Sequence, residues 1–198
     1  EGGLIWQKSL GGNRNEDASS IQQTADGGYI MAGYSNSIIG DFTGNHGYLD
    51  YWIVKLNNTG IIQWQKSLGG NGNDEANSVQ QTADGGYIVA GNSNSNNGDV
   101  TGNHGGTDYW IVKLNNAGII QWQKSLGGSG DDYARSVQQT AEGGYIVAGF
   151  TNSNNGDVTG NHGIDYWIVK LNNAGIIQWQ RTLGGGGDDQ ANSVQQTA

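Results

Sequence analysis

Two kinds of apolar run recur along this chain. One is continuous: Tyr87-Ile88-Val89-Ala90-Gly91 and Asp108-Tyr109-Trp110-Ile111-Val112-Lys113-Leu114 carry apolar residues side by side. The other alternates: Ile120, Trp122, Lys124 and Leu126 fall on one face, with Gln121, Gln123 and Ser125 on the other. Strand side chains point to opposite faces in turn, so the alternating run predicts a half-buried strand and the continuous runs predict strands buried on both faces. A further strand is predicted over Ala76-Asn77-Ser78-Val79-Gln80-Gln81-Thr82, small and polar around one β-branched residue. No run repeats at the helical period, so no helix is expected.

These runs return as a set. Trp6, Trp64, Trp122 and Trp179 mark copies of the alternating run, 58, 58 and 57 residues apart. The chain divides into the last strand of a truncated repeat (1–12), repeats over 13–70, 71–128 and 129–185, and the first strand of another (186–198). Ala83-Asp84-Gly85-Gly86 and Asn115-Asn116-Ala117-Gly118 read as tight turns, because Asp, Asn and Gly tolerate the backbone such hairpins need. A long polar loop over 92–107 joins the second and third strands. Each unit is thus predicted as a four-stranded antiparallel meander, its hairpins too short for a crossover helix.

Such units bury their faces against neighbours. The expected fold class is all-β: a β-propeller, or an open propeller-like array, with the meanders as blades. The small first strand suits a crowded axis. Closed propellers use about 4–8 blades, more than the three full units in the sequence. Further repeats, chain assembly or an open superhelix would resolve this. The unpaired terminal strands are expected sites of self-association or of contact with neighbouring repeats.

Several stretches resemble a known group of repeats. They are Gly127-Gly128-Ser129, Ser136-Val137-Gln138-Gln139-Thr140, Gly85-Gly86-Tyr87-Ile88-Val89-Ala90-Gly91, the Asp108–Leu114 run and Trp122-Gln123-Lys124. The chain resembles, over nearly its whole length, repeats of large secreted or surface-anchored proteins of bacteria and some archaea. The resemblance implies an extracellular, cell-surface location and a propeller-like repeat region of a larger polypeptide with a sorting or anchoring domain. It implies no enzyme activity. The first unit departs most, at Ser37-Ile38-Ile39-Gly40 and Tyr48-Leu49.

Charge narrows the partners. The net charge of −9, from 9 basic and 18 acidic residues, argues against nucleic acid, whose binding needs Lys and Arg on phosphates. No stretch approaches the roughly 18 apolar residues of a membrane helix, so no membrane insertion is expected. The absence of cysteine excludes disulfides and thiolate chemistry.

The chemical candidates repeat with the units. Asp41, Asn97, Asp99, Asn155 and Asp157 flank a loop glycine in each unit and are candidate Ca²⁺ ligands, since closely spaced oxygens suit a hard cation. They lack the full spacing of the known calcium loop. The competing reading is that Asn and Asp bond their own backbone. Asn73-Asp74, Asp131-Asp132 and Asp188-Asp189 could ring one mouth of a channel. His46, His104 and His162 invite a metal reading, set against a bond to a backbone carbonyl. Tyr109, Trp110 and Trp122 are sugar platforms or core. Asp50, Asp108 and Asp165 are catalytic carboxylates or caps on backbone amides. Near-identical copies of every carboxylate speak against an enzyme, which gives different residues different roles.

The expected function is a non-enzymatic, extracellular structural or adhesive module. Its rival is a carbohydrate- or Ca²⁺-dependent, lectin-like module, binding surface glycans through the Asn/Asp-rich loop face, because recognition concentrates on long loops.

Overall fold

The computed structural model describes residues 2–197. Its strands are β1 (Glu16–Gln23), β2 (Tyr29–Ser35), β3 (Asp50–Leu56), β4 (Ile62–Leu68), β5 (Asp74–Gln81), β6 (Tyr87–Ser93), β7 (Asp108–Leu114), β8 (Ile120–Leu126), β9 (Asp132–Gln139), β10 (Tyr145–Thr151), β11 (Asp165–Leu171) and β12 (Ile177–Leu183). They form three separate four-stranded sheets, β1–β4, β5–β8 and β9–β12, each an antiparallel meander in chain order. The first sheet packs on the second and the second on the third, and the row closes no ring among the described residues. No helix there is long and apolar enough to cross a membrane.

The continuous apolar runs are explained by the junctions. Ile30, Ala32, Tyr51 and Ile53 of the first sheet pack with Val79, Val89, Trp110 and Val112 of the second in one core. The other faces of β6 and β7 supply Ile88, Ala90, Tyr109 and Ile111 to a second core, with Val137, Val147, Trp167 and Val169. A middle sheet is therefore apolar on both faces. Each such side chain contributes roughly 1.5–3 kcal/mol on full burial. The long loops add a plug that the sequence pattern did not announce: Val100 and Val158 are fully buried in these two cores, and Phe42 in a third cluster with Trp52, Val54 and Leu56 on the outer face of the first sheet.

Turn chemistry sets the hairpins. Gly27, Gly85 and Gly143 adopt φ near +80° between first and second strands. The preceding Asp84 receives Thr82 Oγ1 at 2.5 Å and Gly86 N at 3.0 Å. In the third-to-fourth turn, Asn115 Oδ1 accepts Ala117 N and Ile119 N.

Two expectations change. The linker aspartates Asp74 and Asp132 belong to the strands, pairing Ser93 and Thr151, because their carboxylates are bonded into the sheet end. The terminal segments expected as strands carry no strand over 2–11 or 189–197; Glu1 and Ala198, at the ends of those segments, lie outside the described residues. The segments nonetheless stand where strands of adjacent units would. Trp6 packs edge-on to Tyr29 at 5.8 Å, as Trp64 does to Tyr87 at 5.6 Å. Val194 N donates to Ser136 Oγ at 3.2 Å, as Val137 N does to Ser78 Oγ.

Candidate functional site

The long loops and the linkers meet on one side of the molecule. At the second junction Gly127 N donates to Asp157 Oδ2 at 3.3 Å, and Asp157 N donates to Gly127 O at 2.9 Å. Ser129 N donates to Asn155 Oδ1 at 2.8 Å. The first junction repeats this with Asp99 and Asn97 on Gly69 and Asn71, and Asp41 does the same to Gly11. The five candidate Ca²⁺ ligands are thus acceptors for linker amides. The Asn–Asp pairs of the second and third units, and Asp41 alone in the first, each clamp the linker that enters the unit, and Asp41, Asp99 and Asp157 are not gathered at one point. Among the described residues no group of three or more His, Asp or Glu is arranged to hold a metal ion.

Beneath this clamp lie paired carboxylates. Asp108 begins β7 and Asp132 begins β9, and both are fully buried. They converge on Gly127: a Cβ there would lie 2.7 Å from Asp108 Oδ1 and still closer to Asp132 Oδ2, so only glycine fits. Asp50 and Asp74 do the same around Gly69. Asp108 Oδ2 accepts His104 N at 2.9 Å and meets His104 Nδ1 at 2.7 Å. Asp50 holds His46 likewise, and Asp165 holds His162 at 3.3 Å. The histidines therefore bond a strand-start carboxylate, not the expected backbone carbonyl, because that carboxylate is already aimed at the same loop's amide. The amide-capping reading of Asp50, Asp108 and Asp165 describes what they do.

Burial decides the electrostatics. It pushes Asp108 up to about 6, against the hydrogen bonds from His104 that favour its charge. Asp74 and Asp132 are also raised by burial, opposed by bonds from Ser93 and Ser95 to Asp74, and from Gly128 N and Ser153 to Asp132. Asp50 Oδ1, Asp108 Oδ1, Asp132 Oδ1 and Asp165 Oδ1 are buried without a hydrogen-bond partner. The Asp132 charge across Gly127 adds to the rise of Asp108, since two buried like charges disfavour joint ionisation. Asp74 and Asp132 do not ring an open mouth as the sequence suggested; they are sealed in the junctions, where no substrate reaches them.

The opposite side carries the tight turns and a device that sequence reasoning missed. Lys113 Nζ, on an almost wholly buried side chain, donates to Asp84 Oδ2 at 2.9 Å, Leu114 O at 3.0 Å and Gln121 Oε1 at 3.1 Å. Lys55 repeats this with Asp26 and Gln63, and Lys170 pairs with Glu142 at 2.7 Å. The signal was a lysine inside each third strand and an acid in each first turn, 29 residues apart in the first two units.

Between neighbouring turns lie clefts of about 430 Å³. One is lined by Asp84, Lys113, Gln121, Trp122, Gln139 and Tyr145; the other holds the equivalent residues around Trp64. Trp64 is half-buried, its Nε1 donating to Asn116 O at 3.2 Å. Trp110 is fully buried, with its indole N–H on Gln123 Oε1 at 2.9 Å, and serves the core. Comparison with protein-family models and with curated proteins finds no match to the chain.

Proposed function

We propose that the chain is a non-enzymatic structural or adhesive module, a propeller-like array whose sheets act as blades, working at the cell surface within a larger protein or assembly. One observation carries this reading. The repeated His, Asp and Lys side chains make the same architectural bonds from unit to unit: Asp84 with Lys113 as Asp26 with Lys55, His104 with Asp108 as His46 with Asp50. No unit departs from its copies in the way that a catalytic site requires. The resemblance to secreted and surface-anchored repeats supports the extracellular setting.

The clefts beside Trp64 and Trp122 favour a second reading, a repeated subsite for a polar ligand such as a sugar, with an indole flanked by Gln, Asp and Lys. They lie on the tight-turn side, away from the loop face first expected to bind. A glycan array probed with and without chelator separates the readings. The structural reading expects no reproducible sugar binding in either condition. Binding lost on Trp122→Ala would replace it with the second.

A further inference from the structure

Each interior junction buries the same two surfaces, and each surface is left open once. The preceding sheet offers a tyrosine: Tyr51 and Tyr109 are both 0% exposed, but their counterpart Tyr166 on the third sheet is 36% exposed. The following sheet offers a β-branched residue on its first strand: Val79 and Val137 are 6% and 5% exposed, but Ile21 on the first sheet is 61% exposed. Leu183, matching the buried Leu68 and Leu126, is likewise uncovered.

The open face of the first sheet holds a cavity of about 310 Å³, lined by Ile21, Met31, Trp52 and Val54 and walled by Trp6 and Leu10. At the interior junctions the corresponding space is filled. Tyr51 lies against Trp110 with ring centres 4.5 Å apart, and its hydroxyl donates to Trp110 O. Tyr109 does the same to Trp167. Trp52 is the next residue of that series, and it lacks its tyrosine.

The segments over these faces are stand-ins. Trp6 lies over Gly60 as Trp64 lies over Gly118 and Trp122 over Gly175. Gln196 N donates to Gln138 Oε1 as Gln139 N does to Gln80 Oε1. Neither segment belongs to a sheet; beyond isolated backbone bonds near the linkers, such as Asp189 N to Ile164 O and Ala191 N to Gly149 O, each is held by side-chain contacts and can be displaced.

We propose that the third sheet of one chain docks on the first sheet of a second copy. Tyr166 enters the cavity beside Trp52 and donates its hydroxyl to the Trp52 carbonyl. Trp179 takes the place of Trp6, and β1 takes the place of the 193–196 segment. The occupant is a second copy because both surfaces repeat those buried at two junctions of the same chain, with Ile21, Met31 and Phe42 standing where Val79, Val89 and Val100 stand. The Ser and Gln side chains of the first strands fix the register. The contact is heterologous, so copies add head to tail. Its apolar centre works against a net charge of −9 on each chain, so association strengthens with added salt. The inference rests on the structural reading in that the partner is another module and not a ligand.

Sedimentation velocity on the full chain tests it, over a concentration series in high salt. Wild type is expected to grow stepwise beyond one chain. Tyr166→Asp and Ile21→Asp each remain single chains, and their equimolar mixture gives dimers and nothing larger, since one good surface survives on each. Leu183→Asp repeats the Tyr166→Asp result, and unchanged circular dichroism verifies folding in all three. Wild type that stays a single chain throughout overturns the proposal, as do growth of either variant alone or a mixture that fails to pair. A single-chain result leaves the structural reading standing, whereas sugar binding on the array removes that reading whatever the sedimentation shows.

Discussion

The hydroxyl of Tyr51 donates to the backbone carbonyl of Trp110 at 2.8 Å, across the junction between two sheets. The bond ties a strand of one unit to the middle of a strand in the next. A Cβ at Gly91 would lie 2.7 Å from the hydroxyl and closer still to the Glu75 carbonyl oxygen of the paired strand, the backbone contact that requires glycine here as at Gly33. Tyr51→Phe keeps the ring and removes the hydroxyl's bond to a carbonyl that also sits in the β7 ladder, so it is expected to cost about 1 kcal/mol. Tyr166→Phe in the single chain has no such bond to lose and is expected to stay within about 0.5 kcal/mol of wild type. Urea unfolding at a common m-value measures both at low protein concentration. Equal losses would show that the carbonyl bond is unimportant.

The carboxylate pairs set an acid stability optimum. The folded value of Asp108 is about 6, against about 3.9 for an unfolded aspartate. Between these values the folded state binds more protons than the unfolded one, so stability falls as pH rises through that window. Asp74 and Asp132 act in the same direction. Asp84 opposes them at lower pH. Burial works against its charge, but bonds from Thr82, Lys113 and Gly86 prevail and hold it at about 2, so its contribution is lost as pH falls below about 4. Thermal unfolding is expected to peak near pH 4–5, with Asp108 alone giving up to about 3 kcal/mol relative to pH 7. Asp108→Asn should flatten the profile above pH 5. A Tm that climbs steadily from pH 4.5 to pH 7 would exclude a raised folded value for Asp108.

Strand order and sheet division were legible because strand and turn signals are local. Tyr87–Gly91 is apolar at every position and Asp84-Gly85 breaks the chain, so hairpin and burial follow together. The partners of the junction residues were not legible, because they lie from 21 to 59 positions away. Nothing near Asp99 reveals that Gly69 supplies its amide, and nothing near Asp132 reveals that Asp108 faces it. Oxygen-rich loops look like cation sites for the same reason that they clamp a linker: both tasks need several acceptors close together. Phe42 and Val100 hid as single apolar residues in polar loops.

Two glycines separate backbone strain from crowding. Gly85 and Gly118 both have positive φ, +79° and +72°. Nothing lies within 4 Å of a Cβ at Gly85, whereas one at Gly118 would lie 2.9 Å from the Trp64 ring. Gly85→Ala is expected to cost about 1 kcal/mol, the penalty for a left-handed backbone alone. Gly118→Ala adds displacement of the indole and is expected to cost about 2–3 kcal/mol. Tryptophan fluorescence should shift in Gly118→Ala and not in Gly85→Ala. Identical costs with unchanged fluorescence would mean that Trp64 does not rest on this turn.

The buried lysines predict an asymmetry between partners. The Lys113 side chain is 4% exposed, while that of Asp84 is 56% exposed. Removing the carboxylate leaves an ammonium in the protein with only the neutral oxygens of Leu114 and Gln121. Asp84→Ala should therefore cost about 2–4 kcal/mol, below the range for fully buried pairs because water reaches the acid's side. In Lys113→Met the freed carboxylate turns to solvent and the stem is replaced by apolar volume. The expected cost is about 1–2 kcal/mol, most of it from the carbonyl of Leu114. The double variant should be no worse than Asp84→Ala alone, a coupling that a double-mutant cycle in urea reads directly. A larger loss for Lys113→Met than for Asp84→Ala would mean that the ammonium, and not the acid, is the partner that the fold depends on.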